Sequence, residues 1–172
     1  IPSHSFPTRR SSDLVDAVLG MDFIERTGEI QIDLAAMTLI IPAQTTALPA
    51  SGRNIILETN IPVVESTDAN GNRYTFILDT GASGANLSDL WFAKNAEVAA
   101  ALPVETQNVW GHGGTVQLEI VKVPKFKLTI GTSSAEFKDL PATAPANGTV
   151  SSSRDGRLGM GLLKQFKKVI FN

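Results

Sequence analysis

The chain has 172 residues, 42% of them hydrophobic, and a net charge of −2 with both signs interspersed. That is enough apolar side chain for one ordinary core, and the absence of any basic or aromatic-basic run argues against nucleic acid as a partner. Cysteine is absent, which excludes disulfides and thiolate metal sites but leaves the compartment open. The longest apolar runs, such as MTLII, are too short to span a bilayer, so no membrane span is expected.

Residues 1–14 stand apart. HSFPTRRSSDL (His4 to Leu14) resembles the translation of a common sequencing-library adapter, so 1–14 are expected to be an artefact of the reading frame, with the natural N-terminus missing. Beyond them lies an internal repeat. VDAVLGMDFI (Val15 to Ile24) returns as RDGRLGMGLL (Arg154 to Leu163), an offset of 139 residues from Asp16 to Asp155. Each copy runs on through a polar stretch into an alternating segment, EIQID in the first and KVIFN in the second. Copy one then continues through MTLIIP, a β-branched strand stopped by proline. Copy two reaches Asn172 before that point. The organisation expected is therefore the tail of a first domain at 15–42, a linker rich in small residues at 43–53, and a second domain at 54–172 lacking its last strand.

Within the second domain, IILETNIPVVES and RYTFILD flank TDANGN, where Asn70-Gly71 suits the positive-φ positions of a hairpin turn. SDLWFAKNAEVAAAL (Ser88 to Leu102) has helical composition with Ser88 or Asp89 as N-cap, and Trp91 and Phe92 are expected in the core. TVQLEIVKV and KFKLTIG alternate as strands, and PATAPANGTVSSSRDG reads as a long polar loop. The fold class expected is mostly β: a small, largely antiparallel barrel-like domain with one or two short helices.

One strand ends unusually. FILDTGASG (Phe76 to Gly84) runs three apolar residues of strand into an acid, a hydroxyl and a glycine. Asp, Thr and Gly are all common in turns, so the tripeptide alone says little. Its context says more: an apolar strand before it, Ala-Ser after it, and RLGM leading into a short helix 76 residues on from Asp79 to Asp155. ILDTGAS (Ile77 to Ser83), the glycine-rich WGHGG (Trp110 to Gly114) and DGRLGMGLL (Asp155 to Leu163) together resemble the retropepsin-like aspartic proteases, the retroviral type and its bacterial relatives. The resemblance covers about 54 to 172 and, more faintly, 15 to 42.

That resemblance implies a retropepsin-like barrel and an aspartic endopeptidase. Hydrolysis by water needs a base for the water and an acid for the carbonyl oxygen and leaving nitrogen, and two carboxylates sharing one proton do both. Asp79 would be one of them. Gly81 would allow the sharp turn, Thr80 would hydrogen-bond across the dyad to the opposing loop, and Ser83 would hydrogen-bond the outer carboxylate oxygen. Trp110, Gly111, His112, Gly113 and Gly114 would form a hinged flap over an extended polypeptide substrate. His112 has no second histidine or cysteine beside it to make a metal site. No metal or organic cofactor is implied, since water is the nucleophile. The partner would be a second retropepsin-like domain, in the same chain or in a homodimer, and the chain alone would be inactive unless dimerised. A secreted or periplasmic location is implied by the resemblance alone. The alternative is a non-catalytic peptide-binding or assembly module on the same fold.

One position departs from the pattern. Copy one carries AVLG (Ala17 to Gly20), whereas copy two carries GRLG, with Arg157 where an apolar residue is expected. Such an arginine must reach solvent or find a carboxylate. The repeat also makes a prediction about the gene. Equal spacing places the partner acid about 60 residues upstream of position 1, allowing for loop-length differences between repeats. Sequencing the locus across the adapter junction should reveal an apolar strand ending in Asp-Thr-Gly or Asp-Ser-Gly; an upstream copy without that acid would favour the binding module.

Overall fold

The computed structural model describes residues 20–47, 54–111 and 114–172. The adapter-like leader, the start of the first repeat copy, the second half of the linker and His112-Gly113 lie outside the described residues. In chain order the elements are α1 (Met21–Thr27), β1 (Ile30–Asp33), β2 (Thr38–Ile40), β3 (Ile55–Glu58), β4 (Ile61–Thr67), β5 (Arg73–Leu78), β6 (Ala85–Leu87), α2 (Asp89–Lys94), α3 (Ala96–Ala100), β7 (Val104–Gly111), β8 (Gly114–Ile130), β9 (Ser133–Thr143), β10 (Gly156–Leu158), α4 (Met160–Leu163) and β11 (Lys168–Phe171). The fold is mostly β with short helices, in line with the sequence.

Eight strands form one sheet in the order β3-β4-β5-β10-β6-β9-β8-β7, and a bridge from Thr67 of β4 to Thr129 of β8 curls it back on itself. Alternation decides what faces the interior. In β5, Tyr74, Phe76 and Leu78 are buried while Arg73, Thr75 and Ile77 turn outward, as period-2 side chains must. The buried set packs with Leu87, Trp91, Phe126, Leu128 and Leu158. Trp91 meets Phe126 edge-on, with ring centroids 5.9 Å apart. Trp91 is thus a core residue and Phe92 packs against the core, as expected.

Several boundaries differ from the sequence reading, each for a local reason. The first strand run divides into β3 and β4 because Thr59 and Asn60 both take positive φ, 49° and 64°, making a tight turn without glycine. At the next turn only Gly71 has positive φ, and the Asp68 carboxylate organises the loop by accepting from the Asn70 and Asn72 N–H groups. The helical run breaks at Asn95 into α2 and α3, with Ser88 Oγ capping α2 by accepting from Leu90 and Trp91 N–H. Pro124 lies inside one strand, β8, which the two alternating segments TVQLEIVKV and KFKLTIG form together. It falls opposite Asp139, which takes φ 50° where the ladder skips, between the pairs Val123–Leu140 and Lys125–Lys138. That gap absorbs the donor that proline lacks. β9 follows without a counterpart among the sequence expectations; its signal is the alternation of buried Ala135 and Phe137 with exposed neighbours.

A three-stranded sheet, β11-β1-β2, joins the two repeat copies. β1 and β11 pair antiparallel with Gln31 opposite Ile170. Those two residues are separated by the repeat offset, so equivalent positions face each other and a local twofold passes between them. The described part of the linker is tied down here: buried Glu29 accepts from Thr46 N–H and Oγ and from Gln31 Nε2. Led by the Gln31 hydrogen bond, these contacts hold the Glu29 carboxyl below its ordinary range against the opposing effect of burial.

Strand β10 positions everything near Asp79. It lies between β5, to which it runs parallel, and β6, to which it runs antiparallel. Residues 79–84, which connect β5 to β6, must therefore arch over the end of β10. Buried Asp155 sets its entry, accepting from Thr75 N–H at 2.8 Å and from Lys94 Nζ at 2.6 Å. Gly159 sets its exit. A Cβ there would stand 2.2 Å from the Gly84 carbonyl oxygen and 2.4 Å from that of Ala82.

The loop expected at 141–156 is real beyond Thr143, and its serines hold a helix. Asp89 accepts from Ser151 N–H and Oγ on Oδ2 and from Ser152 N–H on Oδ1. Burial raises the Asp89 carboxyl, but the hydrogen bonds from Ser152 and Ser151 outweigh it and hold the group at about 2, below its ordinary 3.8. A folded-state value below the unfolded one adds stability above the unfolded value and loses it as pH falls through the folded one. Asp89 should therefore add about 2 kcal/mol at neutral pH. Urea unfolding of Asp89→Asn should show that loss at pH 7, and a flatter stability curve than the parent as pH drops from 3.8 towards 2. Gly159→Ala should cost about 3 kcal/mol, because backbone rather than a flexible side chain must move. A urea midpoint within error of the parent's would show that the arch can yield.

Candidate active site

Asp79 follows the last residue of β5, and its backbone is fixed on both sides. Its N–H donates to the Leu158 carbonyl at 2.9 Å, and its own carbonyl accepts from Ala82 N–H at 3.1 Å. The arch is closed from the other side by Met160 N–H, donating to the Ala82 carbonyl at 2.8 Å. These bonds staple the Asp-Thr-Gly-Ala-Ser turn onto the strand beneath it. Consecutive backbone groups near one buried strand leave little freedom, so the carboxylate direction is set by the main chain.

The carboxylate is 36% exposed. Its Oδ1 accepts from Gly81 N–H at 2.9 Å, which requires the chain to double back within two residues. A Cβ on Gly81 would approach that same oxygen to 3.2 Å, so glycine gives the donor room. Among the described residues, this is the hydrogen bond that the Asp79 side chain receives. Thr80 and Ser83 are exposed on either side of it, and neither is among its hydrogen-bonding partners. Asp79, Thr80, Gly81 and Ser83 thus lie on one loop.

The other oxygen, Oδ2, meets a cation. Arg157 Nη1 lies 3.3 Å away. Arg157 is the central residue of β10, whose neighbours Gly156 and Leu158 face inward; it pairs with Ile77 on one side and Asn86 on the other. Parity alone puts Ile77, Asp79, Arg157 and Asn86 on the outward face. The sequence marked Arg157 as out of pattern, but not as a neighbour of Asp79. Their proximity follows from the parallel pairing of β10 with β5, which sequence spacing does not reveal.

The glycine-rich segment is the tip of the β7–β8 hairpin. Its strands pair from Val104–Val121 to Gly111–Gly114, and Gly114 has φ 106°. Trp110 pairs with Thr115; His112 and Gly113 fall outside the described residues. The inner part of this hairpin belongs to the core, whereas Val104, Val109 and Val116 are exposed on it. It stands off the body as a two-sided arm. Among the described residues no group of three His, Cys, Asp or Glu could hold a metal ion, and no helix is long and apolar enough to cross a membrane.

Comparison with solved structures gives distant likenesses. A retropepsin-like aspartic protease from Rickettsia conorii is 20% identical with TM-score 0.43, covering 65% of this chain and 82% of that one. The retroviral protease-like domain of Ddi1 from Leishmania major is 15% identical with TM-score 0.43, covering 61% and 76%. No curated protein matches the chain. The family model described as aspartyl protease matches residues 66–162, more than half of the sequence. That span takes in both strands flanking the Asp79 arch, the hairpin arm and the strand that staples the arch, and the chain belongs to the aspartyl protease family.

Proposed function

We propose that the chain is the second half of a tandem aspartic endopeptidase, and that Asp79 is one of its two catalytic carboxylates. The observation that carries this reading is the Asp79 arch: a solvent-accessible carboxylate whose direction is fixed by backbone bonds to β10 and by Gly81 N–H. Such fixing is what a general acid–base pair needs, because a misdirected carboxylate cannot share a proton with its partner. Water is the nucleophile. One carboxylate of the pair removes its proton while the other protonates the peptide carbonyl, and the proton then passes to the leaving nitrogen. The β7–β8 arm acts as a flap over a substrate held extended as an added strand.

The local twofold at Gln31 and Ile170 supports an intramolecular partner. β11 already pairs along β1, which comes from the tail of the first copy, so the symmetry mate of the Asp79 loop belongs to that copy. With a single Asp-Thr-Gly, at Asp79 to Gly81, the chain is expected to cleave peptides only when assembled, with activity rising faster than linearly in protein concentration.

The test is Asp79→Asn in the protein carrying both copies. The change removes a charge and little volume, so stability should move by about 0.5 kcal/mol or less. Peptide cleavage, greatest in acid and blocked by a pepstatin-like transition-state mimic, should fall at least about a thousandfold. Cleavage at the parent rate would remove Asp79 from the chemistry and leave a peptide-binding module.

A further inference from the structure

Arg157 has no evident part in holding the fold. It sits mid-strand on the outward face, 51% exposed, in a position where the first repeat copy carries Val18. An apolar residue therefore suits the motif, and the guanidinium is an addition peculiar to the second copy. Its contact with Asp79 is loose. A single nitrogen, Nη1, approaches a single oxygen, Oδ2, at 3.3 Å, whereas an arginine that served only to clamp a carboxylate would engage it through two parallel N–H bonds. A guanidinium carries five N–H donors in a rigid fork. Most of them remain for another acceptor, and Asp79 is its ion-pair partner among the described residues.

We propose that Arg157 is a specificity-determining residue that recognises an acidic side chain on a residue flanking the scissile bond. This deepens the peptidase reading and rests on it for the position of the substrate. A peptide whose reacting carbonyl touches Asp79 has its neighbouring Cα atoms about 3.8 Å apart, with side chains pointing alternately to opposite faces. With Arg157 at 3.3 Å from the same carboxylate, a Glu or Asp side chain turned towards β10 reaches the fork without rearrangement of the arch. The cation also offsets the repulsion that an acidic substrate would meet at a negatively charged dyad. Without it, an acidic residue beside the scissile bond would be disfavoured; with it, such a residue is selected.

The experiment uses the protein carrying both copies and matched peptides differing only by Glu, Gln or Lys at the residues on each side of the cleaved bond. Cleavage is read as kcat/KM, and binding of reduced-amide versions as Kd. The parent should prefer Glu over Gln by about tenfold, as one partly exposed charge-assisted contact allows. Arg157→Val, the residue of the first copy, should bring the ratio to within about twofold of unity. Arg157→Glu should invert it in favour of Lys, which separates loss of recognition from misfolding. Equal cleavage of the Glu and Gln peptides, still abolished in Asp79→Asn, would overturn the role of Arg157 and leave the peptidase standing. If no peptide is cleaved, the peptidase reading fails, and the Kd ratio decides alone. A Glu preference lost in Arg157→Val then keeps Arg157 as an acidic-peptide receptor, and equal Kd values overturn it.

Discussion

Everything near Asp79 depends on one close approach between two stretches of backbone. Gly159 passes beneath residues 82–84 with no room for a side chain, and the hydrogen bonds from Asp79 to Leu158 and from Met160 to Ala82 follow from that proximity. Because β10 separates β5 from β6, the chain between those strands has to cross it. The crossing turns a strand-to-strand connection into a rigid arch. A carboxylate mounted there is both reachable from solvent and unable to wander, a combination that a flexible loop does not provide.

The same constraint ties distant residues to the site. Lys94 on α2 reaches buried Asp155, Asp155 engages Thr75 on β5, and Ser88 N–H donates to the Asp155 carbonyl. Ser88 also caps α2 and donates from Oγ to the Arg154 carbonyl. Helix, strand and the entry to β10 are therefore one hydrogen-bonded unit. A buried carboxylate supported in this way is costly to disturb, since removal of one partner leaves charge without compensation.

Much of this was legible in the sequence because it is local. The motif strand, the glycine turn, the N-cap at Ser88 and the core positions of Trp91 and Phe92 all rest on residue type and short-range periodicity. What escaped depends on pairing between distant segments or on backbone that compensates for an unfavourable residue. Thr59-Asn60 makes a tight turn without glycine, and Pro124 is tolerated because Asp139 across from it takes a positive φ. Arg157 stood out as a departure from pattern, yet its proximity to Asp79 comes from a parallel pairing of strands 80 residues apart in sequence, Ile77 with Arg157. Sequence spacing shows nothing of that kind.

The charges along the joining sheet decide which strands can pair in it. About the Gln31–Ile170 pair, the ladder places Asp33 opposite Lys168 at one end, while Asn172 donates to Glu29 at the other. Were β1 to pair with a second β1 about the same centre, Glu29 would stand opposite Asp33, two like charges across a narrow ladder. Cross-strand pairs of that kind are unfavourable, whereas Asp with Lys is not. The two strands are thus complementary rather than interchangeable. The charges at this seam therefore favour the pairing of β1 with β11 over the pairing of β1 with a second β1, so the register of the joining sheet is selected by charge as well as by hydrogen bonds.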